Sequence, residues 1–219
     1  MQENPQMRWA FIHKVYSILC FQWILTFGVC MAISLIHPVR EFMGTAAGFY
    51  VLLTTIAITF ISLILMLGFR EHHPWNYVLL LIFTLAMSFM VGAASTQIKG
   101  EIILLAAGLT LLVTAGLTLF TFVAAKRGWD FSSLGPFLFC ALLLLIAFGV
   151  VRIFFPVGKI VNQVFSSIEA LVFCGFIVYD TESLIKRFNY DQYIEASISL
   201  FLDVMNLFVS LLGALGGGN

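Results

Sequence analysis

The chain of 219 residues is strongly apolar: 61% of its residues are hydrophobic and only 10% are charged. This apolar fraction is larger than a water-soluble domain needs to fill one core, so a soluble globular protein is excluded. Eleven basic residues balance eleven acidic ones. No basic surface is therefore expected for phosphate backbones, and no nucleic acid is expected as a partner.

Seven apolar segments, separated by polar or Gly/Pro-containing breaks, predict the membrane spans in chain order: 15–36, 48–69, 75–98, 102–125, 134–154, 160–181 and 194–215. We expect all seven to be α-helices, because lipid offers no hydrogen-bond partner to the backbone. The breaks are too short to hold an extramembrane domain. The predicted fold class is an all-α integral membrane protein, with a cytosolic tail at 1–14, one seven-helix domain at 15–215 and a short tail at 216–219.

The distribution of Lys and Arg predicts the orientation, because these residues are retained on the cytoplasmic side. The N-terminal tail and the second, fourth and sixth breaks hold seven of them, and the remaining breaks and span ends hold four. We therefore expect a cytosolic N-terminus. The seven are Arg8, Lys14, Arg70, Lys126, Arg127, Lys186 and Arg187.

Two aspartates at membrane depth are the strongest candidates for function, since a carboxyl group is costly inside lipid. Asp203 lies within the seventh span and Asp180 ends the sixth. The two helices form a hairpin, so the carboxyl groups can face each other in the cytosolic half of the bilayer. Such a pair would share a proton and titrate as a coupled unit, as a pH switch requires.

When deprotonated, the same pair would offer the oxygen ligands that Ca²⁺ prefers, in a site weak enough for a transient ion. The alternative interpretation is structural. In that case Asp180 is a helix-end residue near water, and Asp203 hydrogen-bonds Asn206 or a neighbouring hydroxyl group.

Three other charged residues have two interpretations each. Arg70 closes the second span, where it either neutralises the aspartates as a buried counter-ion or snorkels to the interface. Glu169 precedes Asp180 by roughly three turns, where it either extends a proton or cation path or is a carboxyl group hydrogen-bonded within its own helix. Glu101 begins the fourth span, where it complements the helix dipole; a place on the ion path is its second interpretation.

An enzyme is an alternative, because intramembrane aspartyl proteases also use two aspartates on adjacent helices, one of them in a Tyr-Asp pair such as Tyr179-Asp180. Those enzymes have Gly-x-Gly before the second aspartate, whereas Asp203 follows Leu-Phe-Leu at 200–202. No HExxH motif or intramembrane Ser/His pairing is present in the sequence. We therefore expect no enzyme, no catalytic residue and no cofactor.

Three stretches of the sequence resemble the Bax inhibitor-1 family, specifically its LIFEGUARD branch, the transmembrane Bax inhibitor motif proteins. They are residues 170–212, with YDT at 179–181 and LDVMNLF at 202–208, then FVAAKRGWDFSSLGPFLF at 122–139 and FFPVGK at 154–159. The likeness covers all seven spans, roughly residues 10–215.

The resemblance implies a seven-helix bundle with the seventh helix at its centre, acting as a pH-sensitive Ca²⁺ leak in endoplasmic reticulum or Golgi membranes and suppressing stress-induced cell death. The family's aspartate dyad corresponds to Asp180 and Asp203, and the arginine that pairs with it corresponds to Arg70. Some members carry a glutamate deeper in the fourth helix, where this chain has Leu105. Glu169 has no counterpart in the family pattern.

Two alternatives to a leak channel stay open at the level of sequence. One is Ca²⁺/H⁺ exchange, in which H⁺ is more than a regulator. The other is a non-conducting interaction protein that binds cell-death regulators or other membrane proteins, with the aspartates holding the bundle together. Conduction by the purified protein alone separates these from each other.

Overall fold

The computed structural model describes residues 5–69, 74–96, 98–155 and 157–216. Within these residues the regular structure is entirely α-helical, and seven of the helices are long and apolar enough to cross a membrane. The predicted fold class is therefore confirmed. The helices are α1 (Pro5–Leu35), α2 (His37–Met43), α3 (Ala46–Phe69), α4 (Trp75–Ala94), α5 (Gly100–Lys126), α6 (Leu134–Phe154), α7 (Lys159–Lys186) and α8 (Tyr193–Gly216).

Several helices extend beyond or stop short of the predicted spans. Helix α1 begins at Pro5 instead of residue 15, α7 continues to Lys186 instead of residue 181, and α4 ends at Ala94 instead of residue 98. The short α2 lies in the first predicted break. Apolar runs mark only the lipid-embedded part of a helix, and backbone hydrogen bonding continues through the polar residues at the interface.

The described residues form two compact units. The first contains those up to Ile103 together with Asn189–Phe201, and the second contains Leu104–Phe188 together with the described residues from Leu202 onward. Both Asp180 and Asp203 belong to the second unit.

In the first unit, α4 packs against both α1 and α3. Polar side chains connect α1 to α4: the Gln22 amide donates to the Thr84 hydroxyl at 2.9 Å, and the hydroxyl groups of Thr26 and Ser88 lie 2.8 Å apart. Lipid tails are as apolar as leucine, so such polar contacts and close packing are what hold membrane helices together. The two pairs advance together along both helices, which makes α1 and α4 parallel.

Gly92 on α4 is expected to be a sensitive position in this packing. A Cβ at residue 92 would lie 2.6 Å from Ile33 Cδ1 and 3.4 Å from Cys30 Cα, so Gly92→Ala overpacks the contact and is expected to lower the free energy of unfolding by about 1–2 kcal/mol. Gly28→Ala is the matched control, because nothing lies within 4 Å of its added Cβ. Thermal unfolding in detergent measures both, and equal midpoints for the two variants would contradict this close contact.

In the second unit, α6 packs against α7. Phe148 and Phe165 stack with ring centroids 4.3 Å apart. Gly175 on α7 lets Leu138 of α6 approach, since a Cβ there would lie 2.8 Å from Leu138 Cδ2. These contacts hold α7, which carries Asp180, along its length.

Helix α8 is the most enclosed of the seven membrane-length helices. Half of its most apolar stretch is buried, compared with 6% for α6. Asp203 therefore stands on an enclosed helix, whereas α6 presents most of its surface to lipid.

Candidate functional site

The structure brings Asp180 of α7 and Asp203 of α8 together. Their carboxyl groups lie within hydrogen-bonding reach of each other. Asp203 is 7% exposed, and Asp180 is partly exposed. A carboxylate can only accept hydrogen bonds, so a bond between two carboxyl groups requires that one of them carry a proton. A hydrogen bond between Asp180 and Asp203 would therefore require one shared proton.

The second oxygen of Asp203, Oδ2, is buried without a hydrogen-bond partner in the described part of the chain. A buried oxygen without a hydrogen-bond partner has lost its hydration and gained nothing in return. Proteins tolerate this cost at functional positions more often than at purely structural ones. The role of the pair as a switch stays a prediction.

The capacity of this site for a cation is small. Across the described ranges, no group of three or more His, Cys, Asp or Glu side chains is placed to hold a metal ion. Two carboxylates supply at most four oxygens, whereas Ca²⁺ takes six to eight. The carboxyl groups of Asp180 and Asp203 therefore cannot complete a Ca²⁺ coordination shell by themselves.

Of the other predicted site residues, only Glu169 and Glu101 lie within the described residues. Arg70 lies outside them. Glu169 stands about 16 Å before Asp180 along α7, is partly exposed, and has Arg152 as its charged neighbour. Glu101 is exposed in the first turn of α5. A place for Glu169 or Glu101 on an ion path stays a prediction.

Glu182, two residues after Asp180, is a buried carboxylate that was not predicted as a site residue from the sequence. Its side chain is 0% exposed and accepts hydrogen bonds from the Phe131 backbone N–H at 2.9 Å, from Lys186 Nζ at 2.8 Å and from Arg187 Nη2 at 2.8 Å. Lys186 also donates to the Trp129 carbonyl at 2.6 Å. The buried charge is thus paired with two cations and a backbone amide, the arrangement that makes such burial tolerable.

We refer to Glu182, Lys186 and Arg187 with the loop 127–133 as the Glu182 cluster. Arg187 lies over the Tyr179 ring at 4.7 Å, and a Cβ at Gly135 would lie 3.0 Å from that ring. Contacts of this cluster therefore occur on both sides of Asp180 in the sequence. They fix the last turns of α7 against the loop that leads into α6.

A partial signal for this cluster was present in the sequence. Glu182 and Lys186 have the i, i+4 spacing of a helical ion pair, and Arg187 extends the basic end of α7. The spacing does not reveal that a loop some fifty residues earlier covers Glu182, because that burial depends on tertiary packing.

Asp130 in the loop 127–133 lies outside the membrane spans and shapes the turn. Its Oδ1 accepts the Ser132 backbone N–H at 2.8 Å. This hydrogen bond, with help from the charges of Lys186 and Arg187, lowers the pKa of Asp130 below its ordinary value of 3.8. A lowered folded-state pKa gives stabilisation that is present at neutral pH and is lost only as the pH falls below about 4. Asp130 therefore stays ionised across about pH 5–8.

Comparisons with known proteins identify relatives along nearly the whole chain. The family model described as "Inhibitor of apoptosis-promoting Bax1" matches residues 8–219. Protein LIFEGUARD 1 of Arabidopsis thaliana is 48% identical over 214 residues, which cover 97% of this chain and 91% of that protein. The Golgi anti-apoptotic protein of Vaccinia virus (strain Lister) is 40% identical over 217 residues, which cover 99% of this chain and 89% of that protein.

These matches include the regions that carry Asp180, Asp203 and Glu182. A family model that spans nearly the full chain, together with relatives at 40–48% identity, agrees with the motifs at 122–139, 154–159 and 170–212. The chain therefore belongs to the Bax inhibitor-1 family, and its relatives include the LIFEGUARD proteins.

Proposed function

We propose that this protein suppresses cell death from an intracellular membrane, and that it does so as a pH-sensitive Ca²⁺ leak gated by Asp180 and Asp203. The observation that carries the proposal is the proximity of these two carboxyl groups, one on α7 and one on the enclosed α8. Membership of the family supports it, and so does the name of the viral relative, which is a Golgi anti-apoptotic protein.

The mechanism follows from the charge of the pair. With a shared proton, the hydrogen bond between Asp180 and Asp203 holds α8 against α7 and the pathway is closed. After deprotonation, two negative charges repel one another across a weakly solvated contact, so the helices separate and four oxygens become available to a cation. Ca²⁺ flux therefore rises as the pH rises, with H⁺ as the regulator.

Other parts of the proposal concern the membrane and the neighbouring charges. We place the N-terminus in the cytosol, from the distribution of Lys and Arg, and the protein in the Golgi or endoplasmic reticulum. Arg70 is proposed as the counter-ion of the pair, and clamping of the pair by Arg70 is a second way in which α8 is held in the closed state. Glu169 and Glu101 are secondary candidates for the ion path, and for Glu169 the nearby charge of Arg152 is expected to weaken cation binding.

The test is Ca²⁺ uptake into sealed vesicles that contain only the purified protein, measured across about pH 5–8, with protein-free vesicles as the control. The expected result is a protein-dependent flux that increases with pH. A flux that requires an opposing pH gradient would replace the leak by Ca²⁺/H⁺ exchange. Absence of flux at every pH from folded protein would contradict conduction and favour a non-conducting protein that regulates cell death by binding other membrane proteins.

A further inference from the structure

A polar stripe continues along α8 beyond the aspartate pair. Asp203, Asn206 and Ser210 are spaced i, i+3 and i+7, which places them on one face of the helix. Ser210 is buried, and its hydroxyl donates to the Asn206 carbonyl at 2.7 Å. Polar side chains on the most enclosed of the membrane-length helices need a reason, because lipid-facing or purely packed positions favour apolar residues.

Helix α7 presents polar groups to the end of this stripe. Ser166 is buried, and Gln163 Nε2 donates to the Ala214 carbonyl of α8 at 3.3 Å. Asn162, one turn before Ser166, has a buried Oδ1 with no hydrogen-bond partner within the described residues. Hydroxyl and amide oxygens thus occur where α7 meets the last turns of α8.

At this place α8 approaches α7 closely. A Cβ at Gly213 would lie 2.5 Å from Ser166 Oγ and 3.1 Å from Ser166 Cβ. No room remains for a methyl group, and a cation with oxygen ligands at roughly 2.3–2.6 Å requires far more. Gly213 lies about 15 Å along α8 from Asp203, so this contact closes the stripe at the end away from the aspartates.

We propose that the contact between Ser166 and Gly213 is a second gate, through which a divalent cation released from the aspartate pair must pass. This inference rests on the proposed Ca²⁺ leak and adds a constriction that is separate from the pH switch. The oxygens of Ser166, Asn162 and Ser210 would replace part of the hydration shell when the helices move apart.

The test compares Gly213→Ala, Ser166→Gly and the double variant with the wild type in the vesicle assay at about pH 8, where the aspartate pair is deprotonated and no longer closes the pathway. The added methyl group of Gly213→Ala wedges the helices apart, and Ser166→Gly removes the side chain that fills the contact. Each single variant is expected to raise the Ca²⁺ flux at this pH on the order of tenfold above that of the wild type. In the double variant the new methyl group occupies the space that Ser166 vacates, so the leak returns to the wild-type level.

Gly149→Ala on α6 is the matched control, since nothing lies within 4 Å of its added Cβ, and its leak should equal that of the wild type. Flux is normalised to folded protein, so that a variant that folds poorly is separated from one that leaks. If the wild-type protein conducts and all four variants conduct as it does at this pH, the second gate is wrong while the aspartate switch stands. No flux from any protein at any pH overturns both.

Discussion

Asp203→Asn is expected to remove the pH dependence of Ca²⁺ flux and to leave the pathway closed. Asparagine has nearly the shape of aspartate, and its amide group donates a hydrogen bond to Asp180 at every pH. It therefore imitates the protonated pair, and the repulsion that separates α7 from α8 never develops. Flux near pH 8 should fall at least tenfold, to the level of the wild type at pH 5, because a few kcal/mol suffices to shift a two-state equilibrium by that factor.

Asp180→Asn should give the same closed phenotype, and the double variant should add nothing, because residues that act as one unit are not additive. Asp191→Asn is the control, since Asp191 is exposed in the connection between α7 and α8. Its pH profile should match that of the wild type. Flux by Asp203→Asn with an unchanged pH profile would show that this pair is not the switch.

Glu182→Gln is expected to cause a large loss of stability. The substitution keeps the size of the side chain but leaves Lys186 and Arg187 without their counter-charge and gives the Phe131 N–H a weaker acceptor. Both cations are 35% exposed and can regain water when the carboxylate is removed. The free energy of unfolding is therefore expected to fall by about 1–3 kcal/mol, less than for a fully buried ion pair.

Thermal unfolding of the purified protein in detergent measures this loss. Glu101→Gln is the control, because it removes an exposed carboxylate from the first turn of another helix. We expect Glu182→Gln to unfold at a lower temperature than Glu101→Gln. If Glu182→Gln unfolds at the same temperature as Glu101→Gln, the Glu182 cluster does not hold the loop 127–133 against α7.

The spans were predictable because residues inside lipid need apolar side chains and a backbone that is hydrogen-bonded within its own helix. A long apolar run meets this need whatever the rest of the fold is. The start of α1 was not predictable, since the residues from Pro5 to Lys14 are polar enough to resemble a tail. They are helical because hydrogen bonding within the helix continues beyond the lipid. The end of α7 at Lys186 has the same explanation.

The site residues that could be predicted from the sequence are those whose charge is most costly inside lipid. Asp203 is the only charged residue between positions 196 and 219, so its position alone identified it as a candidate. Glu182 lies near the end of a helix, where water is an ordinary partner, and only the fold shows that Phe131 and two cations replace that water. The Gly213 contact with Ser166 likewise depends on how closely α7 and α8 approach.

Control of the pathway by one proton, shared by Asp180 and Asp203, is tested most directly by two signals from the same vesicles. These are the infrared carbonyl band of protonated carboxyl groups and the Ca²⁺ flux, both followed as the pH is raised. We expect a band that disappears over the pH range in which flux appears, and that is absent from the difference spectra of Asp180→Asn and of Asp203→Asn. Flux that develops while the band is unchanged, or a band that titrates normally in both variants, would contradict the account.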